Sequence, residues 1–305
     1  MNAYIKTFCL LAALTALFMG LGMIMGGTSG MMIAGVMAVG MNFVSYWFSD
    51  SIVLKMYGAR PVDSGKVYDL TRELVQRANM PMPRVYEMDT EQPNAFATGR
   101  NPHHAAVAVT RGLMNILDAR ELRAVIAHEL AHIRNRDTLI MTVTATIAGA
   151  LGMLANYAMF FGSSHQDEEG NHQGGGIVAS LAIMILAPMA ASIVQMAISR
   201  TREYAADKIG AEIAHDPIAL ASALAKIDHA AHHRAHHVAE RNPATAHMFI
   251  INPLHLHSID GLFSTHPKTE HRIAALQKLA QQMGREESFS HASPFDAPKN
   301  AGPWG

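Results

Sequence analysis

The run Ala127–His132 reads A-H-E-L-A-H, so His128 and His132 stand four positions apart with Glu129 between them. On a helix, positions i and i+4 share a face, so the two imidazoles would point the same way. Two neutral imidazoles at that separation suit a tetrahedral zinc ion, and the adjacent carboxylate of Glu129 is placed to act on a metal-activated water. A hydrolytic zinc site also needs a third protein ligand and one open position. Cysteine cannot supply that ligand, because the single thiol, Cys9, sits in an apolar run. The segment 199–207 (SRTREYAAD) offers Glu203 and Asp207, again on one helical face. Glu203 is the expected third ligand, and Asp207 the acceptor for the other N–H of a ligand histidine.

These side chains need elements to hold them. Asp118 followed by Glu121 is a capping-box signature, and Leu122, Val125, Ile126, Leu130 and Ile133 recur at helical spacing. The zinc helix therefore runs from about 119 to the Asn135-Arg136-Asp137 stretch. Ahead of it, residues 64–79 place Val67, Leu70, Leu74, Val75 and Ala78 on one helical face, ending before Pro81 and Pro83. Strands are expected at 84–88, 94–99 and 105–110, with Arg100-Asn101-Pro102 as a turn between the last two.

The rest of the chain is unusually apolar. Of 305 residues, 50% are hydrophobic and 16% charged, with 21 methionines and a mean hydropathy of +0.10. A net charge of −1 gives no signature of a nucleic-acid partner. Four uncharged runs, 7–25, 31–48, 138–162 and 176–198, are each long enough to cross a bilayer. The first two, separated by Gly26 to Gly30, form a helical hairpin, and the last two form another around an acidic loop. Lys6, Lys55, Arg60, Arg134, Arg136, Arg200 and Arg202 all flank one side of these spans, which places both termini and the zinc helix on the cytoplasmic face. An H-E-x-x-H motif inside a span is excluded, because Arg120, Glu121, Arg123, Arg134 and Arg136 are too costly for the bilayer core. The expected organisation is a transmembrane hairpin over 1–48, a first catalytic part over 49–137, a second hairpin over 138–198, a second catalytic part over 199–284 and a disordered tail over 285–305.

The motifs AHELAH (127–132), SRTREYAAD (199–207), RNPATAHMFIINPL (241–254) and LFSTHP (262–267) followed by Arg272 are similar to those of HtpX-type bacterial membrane zinc metallopeptidases, relatives of the CAAX prenyl endopeptidase. The resemblance runs to about Leu279. It implies a mainly α fold with a small β-sheet (α+β), a zincin-like, gluzincin-type domain on four transmembrane helices. It further implies one zinc ion per subunit on His128, His132 and Glu203, with Glu129 as general base. Asn94 matches the family's asparagine beside the substrate-binding strand, and His266 and Arg272 match a pair facing the cleft that could stabilise the oxyanion. The implied activity is that of a zinc metalloendopeptidase in the cell inner membrane. It would cleave misfolded or damaged membrane proteins in a stress response, and would cleave itself. Substrate would lie extended along 94–99 or 105–110, reading little sequence. A zinc-binding membrane adaptor without catalysis is the alternative, which would have no need of Glu129. The histidines at 229, 232, 233, 236 and 237 read as a solvated face rather than a second metal site.

Overall fold

The computed structural model describes residues 3–143, 200–233, 250 and 267–284. Its first element, α1 (Ala3–Met56), is two helices folded back on each other at Gly26 and Gly27. Gly27 has φ 59, a left-handed conformation that a side chain would oppose. The turn is tighter than the expected Gly26 to Gly30, because Thr28 to Gly30 are already helical. Across the two arms, Asn42 Nδ2 donates to Leu11 O at 3.2 Å and to Thr15 Oγ1 at 2.8 Å. Such polar bonds join helices whose apolar faces gain nothing by leaving lipid.

The arm Gly26–Phe48 is apolar and long enough to span a bilayer, and only 11% of its apolar window is buried. Met32, Val36, Met37, Phe43 and Phe48 are exposed along it. Apolar surface of that extent faces lipid rather than water. The chain therefore carries at least one membrane-spanning helix near its N-terminus. The helix continues to Met56, beyond the expected end of the hairpin at 48. Its last turns rest on the sheet described next: Val53 and Leu54 pack with Phe96, Ala106 and Ala108. Arg84 pairs with Asp50 at 2.6 Å, and the Arg100 guanidinium lies 4.6 Å from the centre of the Trp47 ring.

Four strands form one mixed sheet: β1 (Arg60–Val62), β2 (Arg84–Met88), β3 (Ala95–Asn101) and β4 (His104–Thr110), in the order β1-β2-β4-β3. Only the β2–β4 pair is parallel. β1 escapes a periodicity reading because it is three residues long and contains Pro61; its place comes from pairing with β2. β4 has strands on both sides, so of the two stretches expected to take substrate, 105–110 has no free edge. β3 ends the sheet.

Helix α2 (Lys66–Ala78) buries Val67, Leu74 and Val75 and ends at Asn79 in the left-handed conformation. A six-residue helix, α3 (Arg111–Ile116), was not anticipated; Thr110 caps it by accepting from Leu113 N. The zinc helix α4 (Ala119–Asn135) has the full capping box between Asp118 and Glu121. It is followed by α5 (Arg200–Ala214), α6 (Pro217–His233) and α7 (Thr269–Gln282). Leu122, Ile126 and Leu130 of α4 join Val107, Leu220, Leu224 and Leu276 in one core, so α4 is packed on every side. Glu121 also accepts from Ser222 Oγ at 2.7 Å and from Lys226 Nζ at 2.8 Å, fixing α6 against α4. After Arg136 the chain resumes as helix, and Leu139, Ile140 and Val143 pack with Leu14 of the hairpin. The remainder of the second expected hairpin, His236, His237, His266 and the tail 285–305 lie outside the described residues.

Candidate active site

Helices α4 and α5 cross in close contact beside a ligand histidine. A β-carbon on Gly210 of α5 would stand 2.7 Å from His128 Cα and 2.8 Å from His128 N, so only glycine permits this approach. Two turns upstream, Glu203 faces the gap between the histidines. Its Oε2 is 3.8 Å from His128 Nε2 and its Oε1 is 3.6 Å from His132 Nε2. The donor atoms of His128, His132 and Glu203 all lie within 4.8 Å of one another, and all three side chains are buried. Ligands at about 2.0–2.1 Å from a tetrahedral zinc ion stand roughly 3.4 Å apart, so this donor set fits that ion with little movement.

Behind each imidazole stands a carboxylate. His128 Nδ1 is 3.0 Å from Asp207 Oδ1, in a contact too bent for a full hydrogen bond. His132 Nδ1 is 3.3 Å from Asp137 Oδ2. These partners leave both Nε2 atoms turned to the site and set the ring orientation. The Asp207 contact is the one expected from the sequence; Asp137 was missed. Its signal is the left-handed Arg136 (φ 59), which ends α4 and folds the next residue back toward His132.

Arg272, expected to face the cleft, is buried like the zinc ligands themselves, at 1% exposure. Its Nε and Nη2 grip the two oxygens of Asp207 at 2.8 and 2.7 Å, and Nη1 donates to Ile250 O at 3.1 Å. Nη1 also lies 3.5 Å from Glu203 Oε2, and Nη2 3.5 Å from His128 Nε2. The guanidinium thus holds Asp207 and also reaches site-facing atoms of His128 and Glu203. Asn94, expected beside substrate, is likewise buried, and its Oδ1 accepts from Ile250 N at 3.3 Å. The Ile250 peptide is held at both ends, by Asn94 and by Arg272. Nothing in the spacing of 94, 250 and 272 foretold this chain of contacts.

Glu129 accepts a 2.7 Å hydrogen bond from the backbone N–H of Ala97, on the outer side of β3. One bond therefore joins the carboxylate beside the metal ligands to the end strand of the sheet. Burial raises the Glu129 pKa above the ordinary carboxylate range, against the pull of the two imidazoles. For His132, burial alone would lower the pKa, but Asp137, Glu203 and Glu129 together push it up to about 9. Burial likewise works against charge on Asp207, yet the Arg272 guanidinium holds its pKa below the usual value.

The family model described as Peptidase family M48 matches residues 61–280. The chain belongs to that family. In this M48 chain, His128, His132 and Glu203 are the zinc site, intact and converging as a zinc metallopeptidase requires. A crystal structure of S. mikatae Ste24p is similar at a TM-score of 0.47 and 18% identity, over 90% of this chain. The chain spans 65% of the length of that protein.

Proposed function

We propose that this M48 protein is an HtpX-type zinc metalloendopeptidase that cleaves misfolded or damaged membrane proteins at the cytoplasmic face of the bacterial inner membrane. The observation that carries the reading is the Ala97–Glu129 bond, which brings a base, three metal ligands and a strand edge to one place. When bound, zinc supplies Lewis acidity, drawing charge from the peptide carbonyl and lowering the pKa of a water toward about 7.

The protein's own groups do the rest. A peptide adds along β3 by backbone hydrogen bonds, a mode that reads little side-chain identity and suits unfolded segments. Glu129 takes the proton of the attacking water and passes it to the leaving amine. Its raised pKa brings it nearer the operating range of such a shuttle. Asp207 and Asp137 orient the two imidazoles, and Arg272 keeps Asp207 ionised. Oxyanion stabilisation is assigned to His266 or Arg272, as the family resemblance implies. The ligands and Glu129 are at most 5% exposed, which keeps bulk water from the carboxylate that carries the proton.

The test uses full-length protein in detergent, with zinc measured by elemental analysis and casein as an unfolded substrate. Glu129→Gln retains zinc and loses cleavage by about 10²–10⁴-fold. Cleavage at the wild-type rate would end the mechanistic assignment. A membrane adaptor would show zinc in both proteins and cleavage in neither.

A further inference from the structure

A feature unused by the catalytic machinery is an open surface pocket of about 650 Å³ at the far end of α4, lined by Arg77, Arg120, Arg123, Ala214, His215 and Asp216. Three guanidinium groups and an imidazole face it against a single carboxylate. They come from three stretches: Arg77 from the last turn of α2, Arg120 and Arg123 from the first turns of α4, and His215 and Asp216 from the corner between α5 and α6.

Two carboxylates hold the arginines in place, one shared by Arg77 and Arg123 and one taken by Arg120. Arg120 grips Asp216 Oδ2 at 2.9 and 2.8 Å, while Arg77 and Arg123 reach opposite oxygens of Glu73 at 2.6 and 3.2 Å. Asp216 is further engaged in accepting from Ala219 N at 2.9 Å, at the start of α6. Three cations against two carboxylates leave a surplus positive charge. Moreover, Arg123 Nε is shielded from solvent and has no acceptor among the described residues. A buried donor of this kind costs stability unless an ion or water satisfies it.

We infer that this cavity is a binding site for a phosphate-bearing anion, distinct from the zinc centre. Guanidinium groups converging from separate elements present several N–H forks, which suits a tetrahedral anion with three or four oxygens better than a planar carboxylate. The anion is a soluble one rather than a lipid headgroup. The opposite end of α4 leads to Leu139, Ile140 and Val143, which pack on the transmembrane hairpin. Seventeen residues of helix place the cavity about 25 Å from that end. The bound anion would tie the start of α4 to the end of α5, the two helices that supply all three zinc ligands.

Isothermal titration of the zinc-loaded, full-length protein in detergent tests the inference, with inorganic pyrophosphate, acetate and vesicles containing phosphatidic acid as probes. Pyrophosphate is expected to bind saturably with a Kd below about 1 mM, and to raise the Tm. Arg123→Gln and Arg77→Gln should each weaken it by about tenfold or more while zinc content stays at the wild-type level. Should Arg123→Gln misfold, Arg77→Gln carries the comparison alone. No saturable heat, equal binding of acetate, affinity unchanged in the folded variants or a response confined to the vesicles would each overturn the assignment.

Discussion

At the residue scale, the centre is built in layers of alternating charge: imidazole, carboxylate, guanidinium. The layering makes metal binding sensitive to residues that never touch the ion. Asp137→Asn and Asp207→Asn should each lower zinc affinity about 10–100-fold, measured by competition with a chromophoric chelator. Unchanged affinity in both would show that the imidazoles need no such anchoring. A proton is linked to the same site. In the metal-free protein His132 titrates at about 9 rather than near the ordinary histidine value of about 6.5. Its folded pKa is raised, so the charged form adds stability in full below about pH 6.5, and that contribution fades as pH rises toward 9. The apoprotein's Tm should therefore fall between those pH values. Zinc uptake at pH 7.5 should release about one proton, read from calorimetry in buffers of different ionisation enthalpy. Zero protons released would mean that His132 is neutral before the metal arrives.

At the scale of elements, the crossing of α4 and α5 decides whether three ligands meet. Gly210→Ala puts a methyl group against His128 backbone atoms, which can yield only if the helices separate. The variant should lose about 1–3 kcal/mol of stability in chemical denaturation and, unlike an ordinary core substitution, hold zinc more weakly. Wild-type zinc affinity in a folded variant would show that Glu203 follows the histidines by other means. Legibility follows the same division. α4 was readable to its ends because Asp118 and Glu121 mark its start and its apolar residues keep one period. Glu203 was readable because it shares a helix face with Asp207. β1 and α3 were not, since three and six residues carry no usable period and are held by β2 and by a Thr110 cap. Arg272 came from family resemblance alone, and no spacing in the sequence encodes its grip on Asp207 across 65 residues.

At the scale of the whole molecule, the second arm of the hairpin runs without interruption from the apolar span into contact with the sheet. Trp47 and Arg100 clasp at the point where it emerges. A clasp of this kind contributes about 0.5–1 kcal/mol. Trp47→Ala should leave casein digestion near the wild-type rate and slow cleavage of a membrane-inserted reporter by a few-fold. Equal effects on both substrates would show that the contact supports folding rather than placement. Because Glu129 is bonded to the end strand and that strand rests on the last turns of the same helix, continuous helix rather than a loop sets the spacing between the apolar span and the carboxylate.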